Sequence, residues 1–422
     1  MFKKYVLPNK LKVLVAPMKE TKAVTALVLV KVGSRFEPKN INGSSHFVEH
    51  LMFKGTERRP NTLIISQELD SIGADYNAFT SKDHTGYYIK AAVQHLPLLL
   101  DMLSDMLFNS KFDGGEMEKE RGVIIEEINM YEDNPLMYME DLFEETVYGD
   151  HPLGWNIAGP REVIRKVTRD ELVGYYRRHY QPANMLLVLA GNIPAKAQAL
   201  IKKYFSIAPK EKFTPEKFVA APMAQGQSHT RVKRKDTEQV QMALGFPAYS
   251  LFDKRVYPLS LLSVIMGGNM SSRLFINIRE KQGLCYFIRA SVNAYEDTGS
   301  LMVQAGLDKK RIKEAITAIL NELKLARDKG VTTAELRKAK DYLKGKLILD
   351  LESSENVAGW IGKQELLRKE VISPTEQIKR LEKVTVADIA GVSRELLRSD
   401  RANLALIGPY QDAGEFSPLL KL

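Results

Sequence analysis

The sequence predicts an α+β fold of two homologous domains in tandem, each an antiparallel β-sheet packed with helices. Three observations predict it. The stretch KVTRDELVGYYRRHYQPANMLLVLAG (166–191) resembles KVTVADIAGVSRELLRSDRANLALIG (383–408), and an offset of about half the chain is the mark of a duplicated domain. Between the copies, APKEKFTPEKFVAAPMAQGQ (208–227) has three prolines, scattered lysines and no sustained hydrophobic period, which reads as an extended linker. Within the first half, strands come in hairpins and helices in runs, a pattern of α+β rather than of a doubly wound fold. The expected boundaries are a first domain over 1–207, a linker over 208–230 and a second domain over 231–422.

The elements follow in order. The opening MFKKYVLPNKLKVLVAP carries two lysines and only a short apolar stretch. It fits a β-hairpin turning at 8–10 better than a signal peptide, so a cytoplasmic location is expected. Residues 24–32 are a near-continuous apolar run, the pattern of a buried strand. Residues 63–72 are helical in period and stop at Gly73. Residues 76–81 and 87–93 read as paired strands joined around 82–84. Long helices are expected over 95–109 and 115–132. In the repeated unit, Thr168 and Thr385 are N-caps, with Asp170 and Glu171 in the first turn of the earlier copy. Each helix leads through a short turn to an apolar strand closing on Gly191 or Gly408. The second domain opens with the alternating strand QVQMALGFP (239–247).

Composition narrows the function. Hydrophobic content of 44% and charged content of 27% are ordinary for a soluble globular chain. No apolar run approaches the ~18 residues of a membrane span. A net charge of +9 raises the question of nucleic acid. The basic residues are dispersed, however, and the densest run, RVKRKD (231–236), lacks interleaved aromatics. Neither nucleic acid nor membrane is an expected partner. The single cysteine, Cys285, excludes an internal disulfide and reads as a small buried filler. Any metal must then be held by histidine and carboxylate.

The stretch GSSHFVEHLMFKGT (43–56) offers such a set. His46 and His50 lie at i and i+4 and share one helix face, with Glu49 at its border. A lone histidine on an apolar helix is ordinarily a core or surface residue. With seven histidines in the chain, though, a chance HxxEH has odds of roughly one in a hundred. Phe47, Val48, Leu51, Met52 and Phe53 make the rest of the helix apolar, and unpartnered charge there is costly. Two neutral imidazoles with a carboxylate beside them suit zinc and a general base.

A further ligand is sought in EKERGVIIEEINMYEDNP (118–135), which holds Glu118, Glu120, Glu126 and Glu127. Glu120, Val123, Ile124 and Glu127 share one helical stripe with apolar neighbours, whereas Glu126 falls with Gly122 and Met130. Glu127 is the best ligand candidate by phase. Glu120, on the same stripe, is an acid that could orient a histidine. A solvated acidic helix is the alternative.

HxxEH is the inverted form of the HExxH zinc motif. HFVEH followed by Glu127 in ERGVIIEEI resembles the pitrilysin/insulinase family of zinc metallopeptidases, in its short two-domain bacterial type, similar to subunits of the mitochondrial processing peptidases. The resemblance runs through LPNKLKVLV, the motif helix, NAFTS, the second acidic helix, YQPANM and the second homologous domain. One local departure is the polar lead-in at 43–45.

The resemblance implies a metallopeptidase α/β roll and one Zn2+ per chain, held by His46, His50 and Glu127, with Glu49 as general base. It implies a zinc-dependent endopeptidase acting on short or unfolded peptides inside an enclosed chamber. It also places an arginine and a tyrosine, here Arg279 and Tyr286 in RLFINIREKQGLCYFIRASV (273–292), toward the substrate. By sequence physics alone these are a helix-surface and a strand residue. The resemblance further implies an edge strand on which Asn77 and Ala78 contact the peptide backbone and Phe79 borders a side-chain pocket. Double-length members carry the zinc in their first domain and the arginine–tyrosine pair in their fourth. This chain holds both halves in two domains, which implies a homodimer with a composite active site. The rival expectations are a non-catalytic scaffold and a partner subunit of the same fold. The intact His46, Glu49, His50 and Glu127 weigh against both.

Overall fold

In the computed structural model, which describes residues 2–208, 213–222 and 225–422, the strands group into two sheets. The first contains β1 (Lys3–Val6), β2 (Lys12–Pro17), β3 (Ala23–Val30), β4 (Asp75–Thr80), β5 (Thr85–Ala92) and β6 (Met185–Gly191), in the spatial order β1-β2-β6-β3-β5-β4. The second contains β7 (His229–Arg234), β8 (Gln239–Ala248), β9 (Cys285–Ala294), β10 (Gly299–Asp308) and β11 (Asn403–Gly408), in the order β7-β11-β8-β10-β9. Matching β2 to β7, β6 to β11, β3 to β8, β5 to β10 and β4 to β9 makes the two orders the same, with β1 an additional edge strand of the first sheet. The parallel pairs also correspond, β2 with β6 and β7 with β11, while the other pairings are antiparallel. The fold is α+β in two homologous halves.

The repeated helices are Arg169–His179 and Val386–Leu396, and each starts in a capping box. The Thr168 hydroxyl accepts the Glu171 N–H at 3.2 Å while the Glu171 carboxylate accepts the Thr168 N–H at 2.8 Å. Thr385 and Asp388 do the same at 3.2 and 2.8 Å. Two orphan donors are satisfied at each helix start.

Strand β3 reads as continuously apolar because both of its faces are covered. On one face Val24, Ala26, Val28 and Val30 join the core that includes Phe47, Val48 and Leu99. On the other face the helix Ser354–Lys363 lies against β3 and β6. A Cβ at Gly362 would come within 2.8 Å of the Leu29 side chain, so glycine allows this close approach without displacing it. The second sheet is covered in the same way by the helix Pro135–Tyr148. Its Met139, Leu142 and Phe143 pack on Ala243, Met302, Ala405 and Ile407.

The compact units are accordingly discontinuous. One comprises Met1–Asn129, Asn156–Val219 and Ile348–Ser373; the other comprises Met130–Trp155, Ala220–Leu347 and Pro374–Leu422. This partition departs from contiguous halves in two segments, each contributing a helix to the sheet of the other half. Hydrophobic period shows that a helix has an apolar face, not which sheet that face will meet.

Of the expected linker, 209–212 and 223–224 lie outside the described residues, and 213–222 carries neither helix nor strand. Phe218 stands edge-on to Phe36 at 5.7 Å, with the Arg35 guanidinium 3.6 Å from its ring centroid. The segment up to Val219 thus belongs to the first unit, whereas 220–222 belongs to the second. Among the described residues no helix is long and apolar enough to cross a membrane.

Candidate metal centre

The motif lies on the helix Ser44–Leu51, whose first residue follows Gly43 at φ +101° with no side-chain cap of its own. The acceptor comes from Glu37. This buried carboxylate accepts the Gly43 N–H at 2.7 Å, the Ser45 N–H at 2.6 Å and the Asn42 amide at 2.9 Å. Burial pushes the Glu37 carboxyl up, against the pull of those donors. An acid at a helix N-terminus also complements the helix dipole. The polar lead-in has its own partners, since the Ser45 hydroxyl lies 2.7 Å from that of Tyr175 and the Ser44 hydroxyl donates to Ile41 O at 2.6 Å. Phe47, Val48 and Leu51 are buried and fix the helix rotation, which turns His46, Glu49 and His50 to the opposite side.

The second acidic helix is Gly114–Asp133. Its buried residues are Met117, Glu120, Ile124 and Ile128, whereas Val123 is 51% exposed. The expected stripe through Val123 is thus rotated, and Glu127 stands partly buried at its margin. Glu126 is exposed and accepts from the Asn129 amide at 3.3 Å, and Glu118 pairs with Arg121 at 2.9 Å. Neither joins the histidines.

His46, His50 and Glu127 do come together. His46 Nε2 and His50 Nε2 are 3.2 Å apart, and Glu127 Oε2 lies 3.6 Å from the first and 3.4 Å from the second. A tetrahedral site with bonds of ~2.0–2.1 Å has ligand-to-ligand edges of ~3.3–3.4 Å. The three atoms form one face of such a tetrahedron, and two imidazoles with a carboxylate are the donor set that zinc accepts. The residues present fit the ion.

Electrostatics agree with a cation. Burial and the neighbouring His50 push His46 down. Burial also pushes on His50, but Glu120 and Glu127 outweigh it and hold the imidazole up to about 9. His50 Nδ1 donates to Glu120 Oε1 at 2.7 Å, and Lys54 Nζ donates to Glu120 Oε2 at 2.5 Å. Those two partners hold the Glu120 carboxyl below the usual range despite its burial. The contact also fixes the ring orientation, with Nδ1 on Glu120 and Nε2 facing the cluster. His46 Nδ1, also buried, has no partner among the described residues. Glu49 stands beside the cluster, where burial pushes its carboxyl up, and one of its oxygens accepts the Thr80 hydroxyl.

Asn77, Ala78 and Phe79 fall on β4, the last strand of its sheet. No strand pairs with its outer edge among the described residues. Asp75, Asn77 and Phe79 are exposed, and Tyr76, Ala78 and Thr80 are the less exposed set. A Cβ at Gly86 would overlap the Phe79 ring at 2.3 Å, so glycine opposite it makes room.

Arg279 and Tyr286 lie in the second unit, on a π-helical segment Phe275–Glu280 and at the start of β9. The Arg279 guanidinium is 5.9 Å from the Tyr286 ring centroid and 4.6 Å from that of Phe275. Tyr286 is 73% exposed. Cys285 beside it is buried, and burial pushes its thiol up to about 11. Sequence reading missed three contributors, namely Glu37, Lys54 and Thr80. Strand alternation offered a signal for Thr80, since it sets that hydroxyl on the inner face of β4 where an apolar residue is the rule.

Two family models match the chain, Insulinase (Peptidase family M16) over residues 12–161 and Peptidase M16 inactive domain over residues 166–343. A Bacillus subtilis protein named uncharacterized zinc protease YmxG is 36% identical over 412 residues, which is 97% of this chain and 98% of its own length. The uncharacterized zinc protease SCO5738 of Streptomyces coelicolor is 34% identical over 412 residues, 96% of this chain and 89% of its own. In structure the chain is similar to a protease from Helicobacter pylori, with a TM-score of 0.90 and 27% identity over 97% of this chain and 99% of that one. Likeness along nearly the whole length, rather than at the motif alone, means that this chain belongs to the insulinase family, peptidase family M16.

Proposed function

We propose that the chain is a zinc-dependent endopeptidase that hydrolyses short or unfolded peptides. The observation that carries this reading is the convergence of His46 Nε2, His50 Nε2 and Glu127 Oε2, with a second carboxylate, Glu49, next to them. A zinc ion held by the three would supply a Lewis acid that lowers the pKa of water and polarises the scissile carbonyl. Glu49 takes the proton of the attacking water and passes it to the departing amine nitrogen. Glu120 keeps His50 in the tautomer that presents Nε2. The peptide adds as a strand along the outer edge of β4, its backbone against Asn77 and Ala78 and a side chain near Phe79. Arg279 and Tyr286 donate to substrate carbonyl oxygen as negative charge develops.

Both halves of this chemistry reside in one two-domain chain. The reading therefore includes a two-fold homodimer in which Arg279 and Tyr286 serve the metal centre of the partner subunit. A non-catalytic scaffold is the competing reading, favoured by the inactive-domain description that covers residues 166–343. Metal analysis and a peptide library separate them. The purified protein should hold one zinc per chain and cut a mixed peptide library, with cleavage read by mass spectrometry and abolished by a chelator. A zinc-free protein, or a zinc-loaded one that cuts nothing, would leave the scaffold.

A further inference from the structure

Among the described residues, the sole hydrogen-bond donor to the Glu49 carboxylate is the hydroxyl of Thr80, on Oε2. We propose that Thr80 is a positioning residue for the base: it holds one carboxylate oxygen, leaves Oε1 to receive the proton, and ties Glu49 to the strand along which the peptide adds. The inference rests on the peptidase reading above.

Three features support it. The first is the place of Thr80 in the strand. Alternation sets it on the same face of β4 as Tyr76 and Ala78, which pack against the core beneath the sheet. A hydroxyl in such a position must find a partner, and this one finds the carboxylate on the motif helix. The second is rigidity. Thr80 pairs with Thr85 at the closed end of the hairpin. The turn beyond it is tied by Ser81 N–H to His84 O at 2.9 Å and by the Ser81 hydroxyl to His84 O at 2.8 Å. The Thr85 hydroxyl, fully buried, donates to Val32 O at 2.9 Å. A β-branched side chain on a strand end so fixed has little torsional freedom.

The third feature is register. Asn77, Ala78 and Phe79 immediately precede Thr80 on one strand. A peptide bonded to the outer edge at those residues is set along the strand axis in steps of ~3.3 Å. Thr80 is the next step of the same ruler, and its side chain reaches the base. Substrate and base are thus placed by one rigid element. Misplacement of a catalytic group by about 1 Å is enough to cost ~100-fold in rate.

The test compares Thr80→Val, which keeps the shape and loses the hydroxyl, with Thr80→Ser, which keeps the hydroxyl. Zinc content, kcat and KM are measured separately on one fluorogenic peptide. Thr80→Val should lower kcat about 10- to 100-fold, with KM and zinc content changed by less than about twofold. Thr80→Ser should recover most of the loss. Added to Glu49→Gln, Thr80→Val should cost nothing more, because the group it positions is gone. An unchanged kcat in Thr80→Val, an equal loss in Thr80→Ser, or additive losses would overturn the proposal. A crystal structure of zinc-loaded Thr80→Val gives a readout free of activity, in which Glu49 should leave its wild-type conformation. A Glu49 that stays in place refutes the positioning role even if the peptidase reading stands. A wild-type protein that holds zinc and cuts nothing refutes that reading instead, while the crystal still decides the role of Thr80.

Discussion

His46 Nε2 and His50 Nε2 face each other across 3.2 Å, with Glu127 Oε2 3.4 Å from the second. Two lone pairs at that separation repel unless a proton or a cation lies between them. Without metal, the proton sits on His50, whose imidazole Glu120 and Glu127 hold up to about 9 against its burial. Both nitrogens must be free to bind an ion. Zinc binding at pH 7 should therefore release about one proton, and affinity should climb as pH rises toward the His50 value. Calorimetry in two buffers of different ionisation heat measures the release. Zinc uptake with no proton released would mean that the imidazoles do not share a proton in this way.

Glu49 and Glu127 should separate by role. Glu49→Gln removes the base and keeps the three metal donors, so zinc content should hold while turnover falls by orders of magnitude. Glu127→Gln should do the reverse and weaken metal binding. Loss of zinc in Glu49→Gln would reverse the assignment. Full zinc affinity in Glu127→Gln would return attention to Glu120.

Lys54 is the remaining partner of Glu120, at 2.5 Å. Lys54→Met leaves a buried carboxylate with one neighbour fewer and loosens its hold on His50. Zinc affinity, read by chelator competition, should fall about 10- to 100-fold, as it does when the partners of ligating histidines are removed. Lys54→Arg should retain most of it. In the double variant with Glu120→Gln, Lys54→Met should add little, since both act through one contact. Unchanged affinity in Lys54→Met would show that His50 and the helix alone hold Glu120.

What was legible in the sequence divides along a physical line. The histidine pair is readable because i and i+4 share a helix face wherever the helix lies. The N-caps at Thr168 and Thr385 are readable because a threonine stands just before each helical period. The strand pairing of 76–81 with 87–93 is readable from alternation. By contrast, Glu37 caps the motif helix from a preceding turn, and Thr80 and Lys54 reach their partners from other segments. No local period encodes those meetings. Val123 shows the same limit, because phase placed it on the inner stripe and the packing of Gly114–Asp133 turned it outward. The crossing of Pro135–Tyr148 and Ser354–Lys363 to the other half's sheet is likewise a matter of chain path.

His179 should make the first unit acid-labile. Its imidazole is buried against Tyr175, and burial, with a smaller push from Arg178, lowers it to about 4. Glu216, 3.5 Å away and partly exposed, does not offset this. The folded value lies below the unfolded value of ~6.5, so the unfolded chain binds the extra proton. Stability is therefore full above pH ~6.5 and declines as pH falls toward 4, by up to about 3 kcal/mol. His179→Gln should flatten urea-melt stability across that window. An unaltered slope would assign the acid limb to other groups.

The composite site can be tested by mixing two dead proteins. Glu49→Gln lacks the base, and Tyr286→Phe lacks the hydroxyl supplied from the second unit. If Tyr286 serves the partner subunit, each heterodimer has one doubly damaged site and one intact site. Random pairing in an equal co-expressed mixture should then restore about a quarter of wild-type sites. If Tyr286 serves its own chain, every site carries a lesion and the mixture stays as inactive as its parents. The result is decisive when Tyr286→Phe alone is strongly defective and heterodimers are demonstrated by differential tagging. Recovery near a quarter would also count the active sites as two per dimer.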